Sequence, residues 1–259
     1  MLVKYTTNFK HFWELLISMT QKELTARYKN TFFGFLCVII NPLIQMLVIG
    51  FVFRFFIKEP IENYYFYLLV GLLIWNFFSL SLSKTTACIV NERNLIKKAK
   101  FERSVIPLSI ILSNFVHLLL AFVILLIPII LTGILSIYNF PRLIFGVTLL
   151  LAFTTGLSLL TSALDVKFRD VSFFVQALLI VWFYATPVVY SISVIPYSLM
   201  WIWRLNPMTS IVQLFQNALV SAPAPGVGML LSNITVTIII LILGIHVFKN
   251  ESKNFYDWL

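Results

Sequence analysis

The sequence predicts an all-α membrane protein: six transmembrane helices, an N-terminal amphipathic interface helix ahead of them, and short outer re-entrant helices before the last span. Three observations carry this reading. Of 259 residues, 60% are hydrophobic and only 11% charged, and the mean hydropathy is +0.94, against roughly 45–50% apolar residues in soluble domains. Six apolar runs approach the roughly 20 helical residues needed to cross a hydrocarbon core. Lys and Arg gather in alternate connections between those runs, as they do around spans with a fixed orientation. No stretch between runs is long enough to fold apart from the bilayer, so residues 1–259 are expected to form one domain.

Residues 1–31 come first. Phe9, Phe12, Trp13, Leu16, Ile17 and Leu24 recur at helical spacing while Lys10, Glu14, Gln21 and Lys22 take the other side, which predicts an amphipathic helix lying in the membrane interface. Charges interrupt this stretch, so it lacks the continuous apolar core of a cleavable signal. Spans one to five are expected within residues 32–189, at Phe32 to Phe53, Tyr64 to Leu82, Ile106 to Leu135, Leu143 to Leu164 and Phe173 to Val189. The third run is overlong and holds Pro107 and Pro128, which calls for a tilt, a kink or an extension beyond the membrane. Residues 190–227 are too polar and proline-rich to span, and short helices dipping into the outer leaflet are expected there. Residues 228–259 hold the sixth span, Met229 to Phe248, and a tail.

Fifteen of the nineteen Lys and Arg residues lie on one side of this topology, and only Arg54, Lys58, Arg142 and Arg204 lie on the other. The positive-inside rule places both termini in the cytoplasm. The net charge of +9 is spread over short loops, which suits a membrane surface and not nucleic acid.

The chemistry that is missing narrows the function. None of the ten carboxylates falls within a span, whereas ion-coupled transporters usually hold an ionisable group there. Glu59 and Glu62 form the one outer acidic pair and read as solvated loop charges; His11, His117 and His246 are too far apart in the topology for one metal site. His117 reads as a packing residue or a pore-lining polar group. Cys37 and Cys88 read as buried, reduced thiols without metal-ligand spacing. No G-x-x-x-x-G-K-[ST] loop is present to cradle nucleotide phosphates. Aromatic groups cluster at Tyr64, Tyr65, Phe66 and Tyr67, read as an interfacial belt, and at Trp182, Phe183 and Tyr184, where stacking on passing sugar rings competes with that reading.

Five segments together resemble the permease subunits of type-2 ABC exporters for O-antigen, teichoic acid and capsular polysaccharide. They are KELTARYKNTFFGFL with the following Asn41 and Pro42, NERNLIKKAKFERSVIPLS, DVKFRDV, ATPVVYS and LNPMTSIV. The resemblance implies a homodimer enclosing a channel in the bacterial inner membrane, bound to two copies of a separate ATPase that holds the ATP and Mg. It implies no cofactor and no catalytic residue in this chain, with an undecaprenyl-linked glycan as substrate and membrane lipids as surroundings. It maps a coupling helix for the ATPase onto Asn91, Glu92, Arg93, Asn94, Leu95, Ile96, Lys97 and Lys98, and the end of the interface helix onto Arg27, Tyr28 and Lys29. Arg169 and Asp170 fall in a cytoplasmic turn, where they read as a headgroup anchor and a helix-dipole carboxylate. An outer gate maps onto Pro187, Tyr190, Pro196, Asn206 and Pro207. Where the family often has Phe-Pro-Arg, this chain has Phe101, Glu102 and Arg103.

Leu95 and Ile96 form an apolar pair in a charged loop, and as part of a coupling helix both are expected to fill a groove on the ATPase. Two other readings compete with polysaccharide export: a type-2 ABC exporter of drugs or small lipids, and a membrane-embedded enzyme of envelope glycan synthesis, which the missing acid pairs disfavour.

Overall fold

The computed structural model describes residues 2–28, 34–56, 61, 63–99, 101–133 and 139–258. Lys29, Glu59 and Glu62 lie outside the described residues, as do the side chains of Tyr28 and Cys37. Among the described residues every regular element is helical. They are α1 (Leu2–Tyr28), α2 (Gly34–Phe56), α3 (Tyr64–Thr86), α4 (Cys88–Asn91), α5 (Arg93–Lys98), α6 (Val105–Leu131), α7 (Phe140–Lys167) and α8 (Val171–Tyr184), then α9 (Met200–Leu205), α10 (Pro207–Val220), α11 (Val227–Glu251) and α12 (Phe255–Trp258). Helices α3, α6, α7 and α11 are long and apolar enough to cross a membrane; α8 and the stretch Ile40–Phe53 of α2 are apolar but shorter. The chain is a multi-pass membrane protein.

Proline, glycine and threonine set where several helices begin and stop. Pro107 sits in the first turn of α6, where a missing N–H costs nothing. At the other end Thr132 donates its hydroxyl to the carbonyls of Pro128 and Ile129, and Gly133 takes the left-handed conformation at φ 71° that lets a helix close. Helix α6 therefore stops at Leu131, short of Leu135. Helix α8 stops earlier still. The run read as a span to Val189 ends at Tyr184, because Pro187 disfavours helical backbone at Thr186 and the Thr186 hydroxyl turns back to the Trp182 carbonyl at 2.9 Å. Fourteen residues at 1.5 Å each reach only about 21 Å.

The core is one large apolar cluster of α3, α6, α7 and α10 with one face of α8, and a smaller one where α1, α4, α5, α6, α7, α11 and α12 meet. Helices α7 and α11 pack most extensively and approach backbone to backbone. A Cβ on Gly156 would lie 2.6 Å from the Leu241 Cα, and one on Gly244 would strike the Gly156 carbonyl. Small residues serve this purpose in membranes, where no hydrophobic drive separates protein from lipid and close packing must hold helices together.

The segment expected to dip into the outer leaflet divides in two. Its first half, with short 3-10 turns at Ile192–Val194 and Tyr197–Leu199 followed by α9, exposes Val194, Tyr197, Trp201 and Leu205. Its second half is different: every residue of α10 is buried, so Ile211, Val212, Leu214, Phe215 and Leu219 belong to the protein core and not to the leaflet. Pro207 starts α10 at N1, and the Asn206 carboxamide oxygen accepts from the Met208 N–H as its N-cap, a pairing of residues suited to a helix start.

Candidate functional site

Two features stand at the end of the bundle where the basic residues gather. The first is the loop of α4 and α5. Helix α5 is a single amphipathic turn and a half, and its apolar side faces inward. Ile96 is only 4% exposed, packed in one cluster with Leu16 and Met19 of α1, Cys88 and Ile89 of α4, and Val105 and Ile106 of α6, with Leu95 half-buried against it. The expectation that Leu95 and Ile96 fill a partner's groove is thus corrected: this chain already buries Ile96 in a cluster that draws on α1, α4, α6 and α7, which removes its apolar surface from water. The outward face carries Asn91, Arg93, Asn94, Lys97 and Lys98, all exposed. Glu92 turns sideways and pairs with Lys22 of α1 at 2.7 Å. Burial pushes the Cys88 thiol well above its usual range, with the Asp165 carboxylate adding to the shift; it is no nucleophile.

The second feature is a cavity of about 790 Å³ between the end of α1 and helices α2, α3, α6 and α8. Polar side chains line it in stripes: Asn76, Ser79, Ser83 and Lys84 from α3, Asn114 and His117 from α6, Asn41 from α2, and Arg27 from α1. The Arg27 guanidinium donates to the Asn114 carboxamide oxygen at 2.7 Å, and the Asn114 amide donates to Ser81 at 3.0 Å. Asn76 donates to Gln45 across to α2 at 3.0 Å. Arg27, Lys84 and several amides line this space, and among the described residues no carboxylate does. Polar groups inside a membrane protein are costly, and such stripes mark water-filled paths or polar ligands. Asn41 and Gln45, and Asn114 and His117, recur at helical spacing within apolar runs. That periodicity was the sequence signal for the cavity.

At the opposite end the gate candidates are tied together around one side chain. Asn206 accepts from the Trp182 indole N–H at 2.9 Å and from the Met208 N–H at 3.1 Å, and donates to the Ala185 carbonyl at 3.1 Å and the Thr186 hydroxyl at 3.0 Å. The end of α8 is bolted to the start of α10. Residues 186–189 between them are buried without being helical, a state tolerated at membrane depth only where protein groups satisfy the backbone. Tyr64 donates to the Val189 carbonyl at 3.0 Å, Tyr67 to that of Tyr190 at 3.1 Å, and Gln216 reaches the Val188 carbonyl at 3.5 Å. Tyr64 and Tyr67 are therefore buttresses as much as a belt. Trp182 packs edge-on against Phe78 and Phe153 and Phe183 against Trp75; of the three residues considered for sugar stacking, Trp182 and Phe183 are half-buried and Tyr184 is 66% exposed. Pro187 is buried, Pro196 lies in the exposed first half of the segment, and Pro207 begins α10.

Arg169 and Asp170 are exposed in the turn before α8. Asp170 occupies the N-cap position without a side-chain bond; the carboxylate that reaches the first turn is the buried Asp165 of α7, which accepts from the Ser172 N–H at 2.9 Å. Among the described residues no three His, Cys, Asp or Glu side chains group closely enough to hold a metal ion.

The comparisons with known proteins agree with this layout. A family model described as ABC-2 type transporter matches residues 14–220. An O-antigen export system permease protein RfbA of Myxococcus xanthus is 33% identical over 252 residues, covering 94% of each chain. Two Klebsiella pneumoniae proteins of the same name are 33% identical over 232 residues, covering 85% of this chain and 87% of theirs, and 31% identical over 216 residues, covering 82% of each. With its multi-pass helical architecture, the family model matching residues 14–220 and relatives 31–33% identical over most of their length, this chain belongs to the ABC-2 type transporter family and is a membrane-embedded transport subunit.

Proposed function

We propose that the chain is the channel subunit of an ATP-driven exporter that moves a lipid-linked polysaccharide across the bacterial inner membrane. It works as a homodimer with two copies of a separate ATPase. The observation that carries the reading is the polar cavity between α2, α3, α6 and α8, lined by no carboxylate among the described residues, in a chain alike over 94% of its length to an O-antigen export permease. The exposed apolar faces beside the cavity, Leu47, Val48 and Phe51 on α2 and Phe174, Ile180 and Val181 on α8, suit a second copy that completes the channel wall.

With both termini in the cytoplasm, α5 meets the ATPase through Arg93, Asn94, Lys97 and Lys98. Its buried side transmits the push. Ile96 and the Glu92–Lys22 pair join α5 to α1, and Arg27 at the end of α1 holds Asn114 of α6 in the cavity wall. ATP binding in the partner thus moves α1 and α6 against α3, while Tyr190, Pro196, Asn206 and Pro207 frame the outer exit. The ATPase supplies ATP and Mg, since this sequence has no phosphate-cradling loop.

The test is complementation of a strain lacking the chain with the Arg93→Glu/Lys97→Glu double variant. Loss of surface glycan and of co-purifying ATPase, with thermal stability unchanged within about 0.5 kcal/mol as for other surface changes, is the expected result. Normal surface glycan in the strain lacking the chain sinks the export reading. Full export and ATPase retention by the double variant sink the role of α5.

A further inference from the structure

A second cavity, of about 590 Å³, opens at the basic end between the loop before α6, the inner third of α7 and the end of α11. Nothing in the transport mechanism uses it. Among the described residues three cations face it, Arg103 from the loop, Lys249 at the end of α11 and Lys253 just beyond, against one carboxylate, Glu102. Ser104 and Ser252 add hydroxyls at its rim, and Leu108, Ile245 and Phe248 make its floor apolar. Its size is within the ~300–1,000 Å³ usual for ligand sites. Arg103 is held in place: its guanidinium stands over the ring of Phe255 at 5.9 Å, and Phe255 is fully buried edge-on against Phe248. The position of the charge is therefore set by packing and not left to a free surface side chain.

The cavity continues into an apolar surface. Along α11, Ile238, Ile242 and Ile245 share a face at helical spacing and are each about half exposed or more, at 50%, 61% and 48%. A net positive pocket between spanning helices at the basic end, leading onto an unpartnered apolar stripe that runs along a span, has the shape and charge order of one molecule: anionic head, then hydrocarbon. Basic pockets of this kind on the cytoplasmic side take anionic phospholipid headgroups.

We infer that this cavity binds the phosphate headgroup of an anionic phospholipid of the inner leaflet, with Arg103, Lys249 and Lys253 around the phosphate and an acyl chain along Ile238, Ile242 and Ile245. The bound lipid bridges the loop that carries α5 to the end of α11. It would brace the part of the chain that takes up force.

The full-length chain, purified in detergent with whatever ATPase accompanies it, is titrated with phosphatidylglycerol and, in parallel, phosphatidylcholine of the same acyl chains, and retained lipid is counted by native mass spectrometry. Phosphatidylglycerol is expected to be held about tenfold or more tightly than phosphatidylcholine, and the Arg103→Gln/Lys249→Gln/Lys253→Gln variant to lose that preference. The milder Lys249→Gln/Lys253→Gln variant changes only exposed side chains, so folding is not at issue, and it should lose part of the preference. A charge-matched control, Lys10→Gln/Lys167→Gln/Arg204→Gln, should keep it. Equal retention of both lipids by the unaltered chain, an undiminished preference in both cavity variants, or equal loss in the control overturns the inference. So does displacement of the lipid by inorganic phosphate, which would make it a free-anion site. Loss of the ATPase with lipid retention unchanged would assign the three cations to a protein interface instead.

Discussion

The two segments that do not span, residues 87–104 at the basic end and 185–226 at the other, use buried apolar residues in opposite ways. In the first, Ile96 anchors a short helix to the cluster shared by α1, α4 and α6 while the charged side of that helix stays in water. In the second, α10 gives up its outer face entirely and sinks among α3, α7 and α11, so that even Gln213, Gln216 and Asn217 are buried. The difference lies in what holds each segment. The basic-end loop rests on apolar packing plus one exposed ion pair, Lys22 to Glu92, and such pairs contribute only about 0–1 kcal/mol. The far segment rests on a buried hydrogen-bond network centred on Asn206 and extended by Tyr64, Tyr67 and Gln216. One element can shift as a unit; the other keeps a non-helical stretch sealed from lipid.

If the contrast is right, the largest effect belongs to Asn206→Ala. It leaves the Trp182 indole, the Met208 N–H and the Ala185 carbonyl short of partners in a largely buried place, at a total cost of about 3–4 kcal/mol. Thermal unfolding of the detergent-purified chain checks this, and a loss below about 1 kcal/mol would mean that the far segment is held by packing alone. Next comes Ile96→Ala, expected to cost about 2–3 kcal/mol in the same assay. Stability unchanged by that substitution would return Ile96 to the surface and restore it as an anchor for the ATPase. The smallest effect is expected for Glu92→Gln, at most about 1 kcal/mol and fading as salt is raised. A salt-independent loss of several kcal/mol would make the basic end a polar weld like the far end.

Much of this was legible along the chain. Apolar run length located the long spans, since a bilayer demands roughly 20 apolar residues wherever the chain crosses it. The amphipathic pattern of residues 9–24 found α1, and the charged loop with its Leu95 and Ile96 pair found α5. Direction was harder. The apolar pair says that Ile96 is covered, but whether this chain or another protein covers it depends on where distant helices pack, and no local pattern encodes that. The same limit applied to Trp182 and Phe183, whose neighbours Phe78, Phe153 and Trp75 come from distant parts of the sequence.

By itself the sequence determined the class of solvent, the long apolar runs of α3, α6, α7 and α11 and the asymmetry of basic charge. These depend on composition and on its distribution along the chain. Tertiary structure alone decided that α10 is core, that Asp165 and not Asp170 reaches the first turn of α8, and that Arg27 meets Asn114 across a polar cavity. Each is a pairing of groups far apart in the chain, and only the packed helices bring their donors, acceptors and apolar faces to one place.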